Sequence, residues 1–193
     1  MEPLEKPYII GIDLGTTNSA VSSIDLTSDE TRQRIEIFPM PQLSGPGEVS
    51  QLKILPSFLY IPGEHEIDKQ TIDLPWGSGS QGFVGTFARE QGAKVSDRLV
   101  SSAKSWLCHG KVDRRAPILP WGVGEDVDRV SPVEATAAYL THIKMTWNHG
   151  KKGDEDLFLE NQNIIVTVPA SFDEAARDLT VEAATRAGLK NIT

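Results

Sequence analysis

Ile9-Ile10-Gly11-Ile12-Asp13-Leu14-Gly15-Thr16-Thr17-Asn18-Ser19-Ala20-Val21 is an apolar run that meets an acid, a glycine and a crowd of polar side chains before a second apolar run begins at Ala20. Side chains alternate along a strand, so Ile10, Ile12 and Leu14 share one face while Ile9, Gly11 and Asp13 share the other. Asp13 therefore falls at a strand end, beside the turn. Successive backbone N–H groups of Gly15, Thr16 and Thr17 can converge on an anion, as in nests and glycine-rich loops, and the hydroxyls add donors or reach a metal. A lone carboxylate repels phosphate unless a cation stands between them. Mg2+ suits that place, because it keeps several waters and shares one or two carboxylates with substrate phosphates. The same spacing is also that of an ordinary β-hairpin with a polar turn, and only the remainder of the chain separates the two readings.

Downstream, Arg34 to Phe38 alternates as a further strand, and Pro39, Pro41, Gly45, Pro46 and Gly47 are expected to end regular structure. Leu55 to Pro62 reads as a short strand bracketed by prolines, followed by a polar, glycine-rich loop from Gly63 to Gly82. That loop holds a literal G-x-G-x-x-G in Gly77, Gly79 and Gly82, but Leu74-Pro75-Trp76 is no strand and Phe83-Val84-Gly85 opens no helix. A dinucleotide loop needs both. Thr86 to Gln91 predicts a short helix closed by Gly92, and Leu99, Ala103 and Trp106 predict a second over Ser96 to Leu107. Gly110 to Val130 reads as a loop. Ser131, Pro132 and Glu134 then carry the signature of a capping box, with Thr136, Leu140, Ile143 and Trp147 as the apolar face of a helix stopped at His149-Gly150.

After a charged loop from Lys151 to Asp156, Asn163 to Pro169 is a continuous apolar strand of the type buried on both faces of a sheet. Ser171 and Glu174 suggest a second capping box, opening a helix through Ala175, Leu179, Ala183 and Ala187 that ends at Gly188. A strand hairpin at one end and strand, link, helix at the other define an α/β protein.

The chain has 193 residues, enough for one large or two small domains. A formal charge of −8, with Lys and Arg scattered, argues against a nucleic-acid surface, which neutralises phosphates with clustered cations. Cys108 is the single cysteine, so no internal disulfide forms and a reducing, cytoplasmic compartment is expected. No long apolar run predicts a membrane span, and Met1 to Lys6 lacks the pattern of a signal peptide.

Gly11 to Ser19 resembles the first phosphate motif of the DnaK-type 70-kDa heat-shock chaperones. Val166-Thr167-Val168-Pro169-Ala170-Ser171-Phe172, with Ala176-Arg177 and Ala187-Gly188-Leu189, resembles a second stretch of the same nucleotide-binding domain. Leu55-Pro56-Ser57, Val84-Gly85 and Ala103-Lys104 fall between them in the family's order. The resemblance implies the first lobe of an actin-like ATPase, with a mixed β-sheet, flanking helices and a smaller α+β outer subdomain. Residues 1–39 and 131–193 would form the inner, ribonuclease H-like subdomain and residues 40–130 the outer one. It further implies a fragment, inactive alone, that lacks the second lobe and the peptide-binding domain. Unfolded peptide clients, a J-domain co-chaperone and a nucleotide exchange factor are the implied partners, with protein folding under stress as the setting.

By that resemblance ATP or ADP binds with Mg2+ and K+. Asp13 holds the Mg2+ water shell; Gly15, Thr16, Thr17 and Asn18 contact phosphates; Lys104 reaches the γ phosphate; Pro169 and Arg177 couple the nucleotide state to the peptide-binding domain. On residue type alone Lys104 and Arg177 are solvated surface cations, Pro169 merely precedes a helix, and Trp106, Trp147 and Phe172 are core. Cys108-His109 and the pair His142 and His149 lack the ligands of a metal site. Ser105 stands where the family has arginine. A carbohydrate kinase of the same actin-like superfamily, whose opening loop is nearly identical, and a non-catalytic nucleotide-sensing scaffold are the alternative functions.

Overall fold

The computed structural model describes residues 6–63, 66–67, 74–77 and 82–193. Met1 to Glu5 lie outside the described residues, as do Gly79 and much of the expected loop between Gly63 and Gly82. In chain order the elements are β1 (Tyr8–Asp13), β2 (Asn18–Asp25), β3 (Glu36–Ile37), β4 (Met40–Gly45), β5 (Glu48–Leu52), β6 (Leu55–Pro56), β7 (Phe58–Tyr60), β8 (Phe83–Val84), α1 (Thr86–Gly92), β9 (Leu99–Ser101), α2 (Ala103–Leu107), α3 (Pro132–Gly150), β10 (Asn163–Thr167) and α4 (Glu174–Arg186). Short 3-10 turns fill several of the connections.

β1 and β2 form the antiparallel hairpin expected of the opening stretch, with Ile12 opposite Val21 and Asp13 opposite Ala20. Ile10, Ile12 and Leu14 are buried and Asp13 is exposed, as strand alternation requires. β10 lies parallel to β1 on its other side, so the two ends of the chain build one sheet in the order β10-β1-β2-β3, with β6 paired to the start of β2. The hairpin β4–β5 and the three-stranded sheet β8-β7-β9 complete a mixed α/β fold of several sheets.

The helices close the core. In α3 the Ser131 hydroxyl accepts the Glu134 N–H at 3.1 Å while the Glu134 carboxylate accepts the Ser131 N–H at 2.8 Å, the expected capping box. Leu140, Ile143 and Trp147 of α3 join Ile10, Ile12 and Val21 of the hairpin and Leu179 and Ala183 of α4 in one apolar cluster. Each aliphatic side chain sealed there contributes roughly 1.5–3 kcal/mol. α4 ends with Gly188 at φ +82°, where Gly188 N–H bonds to Thr185 O and Leu189 N–H to Ala184 O, closing the last turn. Further out, Leu119 and Val130 exchange two backbone bonds of 2.9 and 2.8 Å around the segment between them.

Four expectations are corrected. The proline- and glycine-rich stretch from Pro39 to Gly47 does not end regular structure but builds β4 and its turn. Pro41 is tolerated because β4 pairs on one side only, and Gly47 at φ +71° makes the reversal. Buried Gln42 then ties the hairpin to α1 by accepting the Thr86 N–H and hydroxyl. Ser96 to Leu107 is not one helix. Val100 is buried in β9 against β7, and Ser102 adopts the left-handed conformation at φ +55° before α2 begins, so strand pairing overrides the helical spacing. β10 is not buried on both faces, for Ile164 is sealed while Ile165 is 46 % exposed. Finally, α4 is capped by Asp173, whose carboxylate accepts the Ala176 N–H at 2.7 Å, because a turn from Pro169 to Phe172 holds Ser171 outside the helix. Its buried face starts at Ala176 rather than Ala175.

Candidate functional site

The turn between β1 and β2 is tight enough to require glycine. A Cβ on Gly15 would lie 1.9 Å from the Asn18 carbonyl oxygen. Its carbonyls face the protein, where Gly15 O accepts the Ser57 hydroxyl and Thr17 O accepts the Ser57 N–H, both at 2.8 Å. Among the described residues no acceptor meets the N–H groups of Gly15, Thr16 or Thr17, and Thr16, Thr17 and Asn18 are exposed. Unpaired N–H groups on an exposed turn are what an anion needs.

Asp13 stands at the edge of this turn. The Thr167 hydroxyl donates to its Oδ1 at 3.0 Å across the parallel β1–β10 pair, where the two residues are in register. Its other carboxylate oxygen has no partner among the described residues. One oriented, exposed carboxylate beside an anion-seeking turn fits Mg2+, which takes a single carboxylate together with waters and phosphates. Among the described residues no group of three or more His, Cys, Asp or Glu side chains is placed to hold a metal such as Zn2+.

Lys104, on α2, is only 7 % exposed. Its ammonium lies 5.6 Å from the centre of the Phe172 ring and forms no ion pair among the described residues. Burial pushes it below the usual lysine range, and the Asp13 carboxylate opposes that shift. Lys104 thus lies within electrostatic reach of Asp13 and beside the Phe172 ring. Phe172 is buried but serves as a platform for this lysine instead of joining the main core. Pro169 and Arg177 are exposed, the first two residues past Thr167 and the second in the first turn of α4. Cys108 donates its thiol to the Lys104 carbonyl at 3.8 Å, and burial and the nearby Asp173 push that thiol up.

Sequence reasoning missed Thr167 and the buried pair Ser19 and Ser57. Their partners lie far along the chain, and no spacing reports them. His142 and His149 each lie edge-on to Trp76, with ring centres 5.9 and 6.2 Å away. Two cavities lie away from the cluster. One of about 300 Å³ is walled by Leu43, Trp76, Phe83, His142 and Met145. The other, of about 390 Å³, is lined by Tyr8, Asp25, Trp147 and Lys151. No described helix is long and apolar enough to cross a membrane.

The mixed α/β fold thus sets an exposed turn with unpaired N–H groups beside one oriented carboxylate, and also buries a lysine. Over an alignment of 193 positions that covers 97 % of this chain, the chain is 27 % identical to the chaperone protein HscA of Salmonella paratyphi B (strain ATCC BAA-1250 / SPB7). The same protein of Salmonella paratyphi C (strain RKS4594) and of Salmonella newport (strain SL254) matches at the same identity and coverage. The resemblance to the DnaK-type 70-kDa chaperones therefore holds along nearly the whole chain. The chain spans about a quarter of the length of these relatives, 26 % of each. No family model matches it.

Proposed function

We propose that this chain is the first lobe of a DnaK-type, actin-like ATPase domain, with residues 1–39 and 131–193 as the inner ribonuclease H-like subdomain and residues 40–130 as the outer one. The sheet built from both ends of the chain and the separate sheets built from its middle support that division. The observation that carries the functional reading is the convergence of Asp13, the unpaired N–H groups of the turn and Lys104, residues far apart in sequence.

In this reading the β and γ phosphates of ATP rest on Gly15, Thr16, Thr17 and Asn18. Mg2+, held by Asp13 through water, supplies charge neutralisation when bound. Lys104 stabilises the charge on the γ-phosphoryl group as water attacks in line, since such transfer is catalysed chiefly by positioning and electrostatics. Pro169 and Arg177 pass the phosphate state to a peptide-binding domain, so that hydrolysis tightens client binding under the control of a J-domain co-chaperone and an exchange factor in the cytoplasm.

The test is ATP hydrolysis by the full-length protein. Peptide-stimulated turnover that falls at least 100-fold in Asp13→Ala and Lys104→Ala is expected. Sugar-dependent ADP release would assign a carbohydrate kinase instead, and nucleotide binding without peptide-stimulated hydrolysis a sensing scaffold. The 193 residues alone should hydrolyse ATP negligibly, and turnover by them that Asp13→Ala abolishes would overturn that expectation.

A further inference from the structure

We propose that Ser57 is a positioning residue for the phosphate turn, holding its N–H groups outward and fixing its place relative to Lys104. The proposal rests on the phosphate reading of that turn.

Ser57 is buried, with 1 % of its surface exposed. Its N–H donates to Thr17 O and its hydroxyl to Gly15 O, each at 2.8 Å, and its Oγ lies 3.0 Å from the Oγ of Ser19, which is wholly buried. A serine hydroxyl carries one proton. Because that of Ser57 goes to Gly15, Ser19 must donate in the Ser19–Ser57 bond. The C=O and N–H of a trans peptide point in opposite directions. Fixing Gly15 O toward Ser57 therefore aims the Thr16 N–H away from it, and fixing Thr17 O does the same for the Asn18 N–H.

The same residue sets a distance. Phe58, directly after Ser57, pairs with Ser101 of β9, and the left-handed turn at Ser102 then launches α2 with Lys104 on its first turn. Turn and lysine thus hang from one strand pair. Without the Ser57 hydroxyl, Gly15 O loses its partner and the Gly15–Thr16 peptide is free to rotate, taking a phosphate donor with it.

The experiment measures binding of ATP, ADP and adenosine, with Mg2+ present, to full-length protein carrying Ser57→Ala, Ser19→Ala or Asp13→Ala. Ser57→Ala should weaken ATP and ADP about tenfold, the order expected when a buried carbonyl loses its hydrogen bond, and leave adenosine unchanged. Ser19→Ala should show the same selectivity at about threefold. If Asp13→Ala loses ATP and ADP affinity while Ser57→Ala keeps it, the proposal fails and the phosphate reading stands. Unchanged binding in Asp13→Ala would sink the reading, and the proposal with it. Equal weakening of adenosine and ADP by Ser57→Ala would show a merely structural role and overturn the proposal. Should Ser57→Ala fail to fold, an unaltered ratio of ADP to adenosine affinity in Ser19→Ala overturns it alone.

Discussion

Thr167 and Asp13 face each other in register across the β1–β10 pair, and the threonine hydroxyl donates to the aspartate carboxylate at 3.0 Å. That bond occupies one carboxylate oxygen and fixes the direction of the carboxylate. Replacing Thr167 by Val keeps the β-branched shape and removes the donor. A titration of Mg2+ against nucleotide binding should then need about five- to tenfold more metal, with little change in unfolding, since outer partners that orient a metal ligand tune its affinity.

Lys104 is a desolvated charge, so its contributions to the proposed hydrolysis and to stability should have opposite signs. Burial holds it below the ordinary lysine range, so the charged form is costlier to hold in the folded chain than in the unfolded one. Lys104→Met should abolish hydrolysis in the full-length protein while leaving the urea midpoint unchanged or higher. A lowered midpoint would show that the ammonium supports the fold.

Gly15→Ala is expected to be severe. Its Cβ would meet the Asn18 carbonyl at 1.9 Å, so the backbone of the turn must move. Overpacking of this kind costs about 1–3 kcal/mol, and denaturant melts together with ADP binding should register both the strain and the lost site.

His142 predicts an acid-side slope in stability. Burial pushes it down to about 4, while its Nε2–H donates to the Pro41 carbonyl at 3.0 Å. The stability tied to neutral His142 is complete above the unfolded value of about 6.5 and is lost as pH falls toward 4, because only the unfolded chain takes up the proton in that window. Between pH 6.5 and 4 the wild type should lose on the order of 2 kcal/mol more than His142→Gln, as read from urea melts at several pH values.

Two neighbours on the approach to α4 should differ. Asp173→Ala removes the carboxylate that caps the Ala176 N–H and should cost about 1 kcal/mol, whereas Ser171→Ala should be near neutral. Equal effects in thermal melts would restore Ser171 as the cap.

What the sequence made legible follows the range of each interaction. The β1–β2 hairpin, the Ser131–Glu134 cap and the Gly188 stop each lie within a few residues, and local chemistry specifies them. Ser96 to Leu107 was misread because Leu99, Ala103 and Trp106 keep helical spacing, yet β7 offers Val100 a strand partner that no local pattern announces. The same limit holds at the site. The strand end at Asp13 and the turn after it follow from local pattern and Lys104 was singled out through family resemblance, but the bonds of Thr167 and Ser57 form through register and burial across long separations. Gln42 in β4 was hidden for the same reason, since its partner Thr86 becomes visible only once the hairpin packs on α1.

The two backbone bonds joining Leu119 and Val130 give the intervening stretch a different kind of significance. They clamp its two ends together, so the stretch beyond Trp121 can lengthen or shorten without pulling on α2 or α3, and the entropy of closing a longer loop grows only slowly with its length. Trp121, 60 % exposed, stands on this appendage and lies against Trp106, the two rings tilted by 30° with centres 4.9 Å apart. The segment is therefore a natural graft point: a reporter inserted beyond Trp121 would ride on the clamp rather than on the fold.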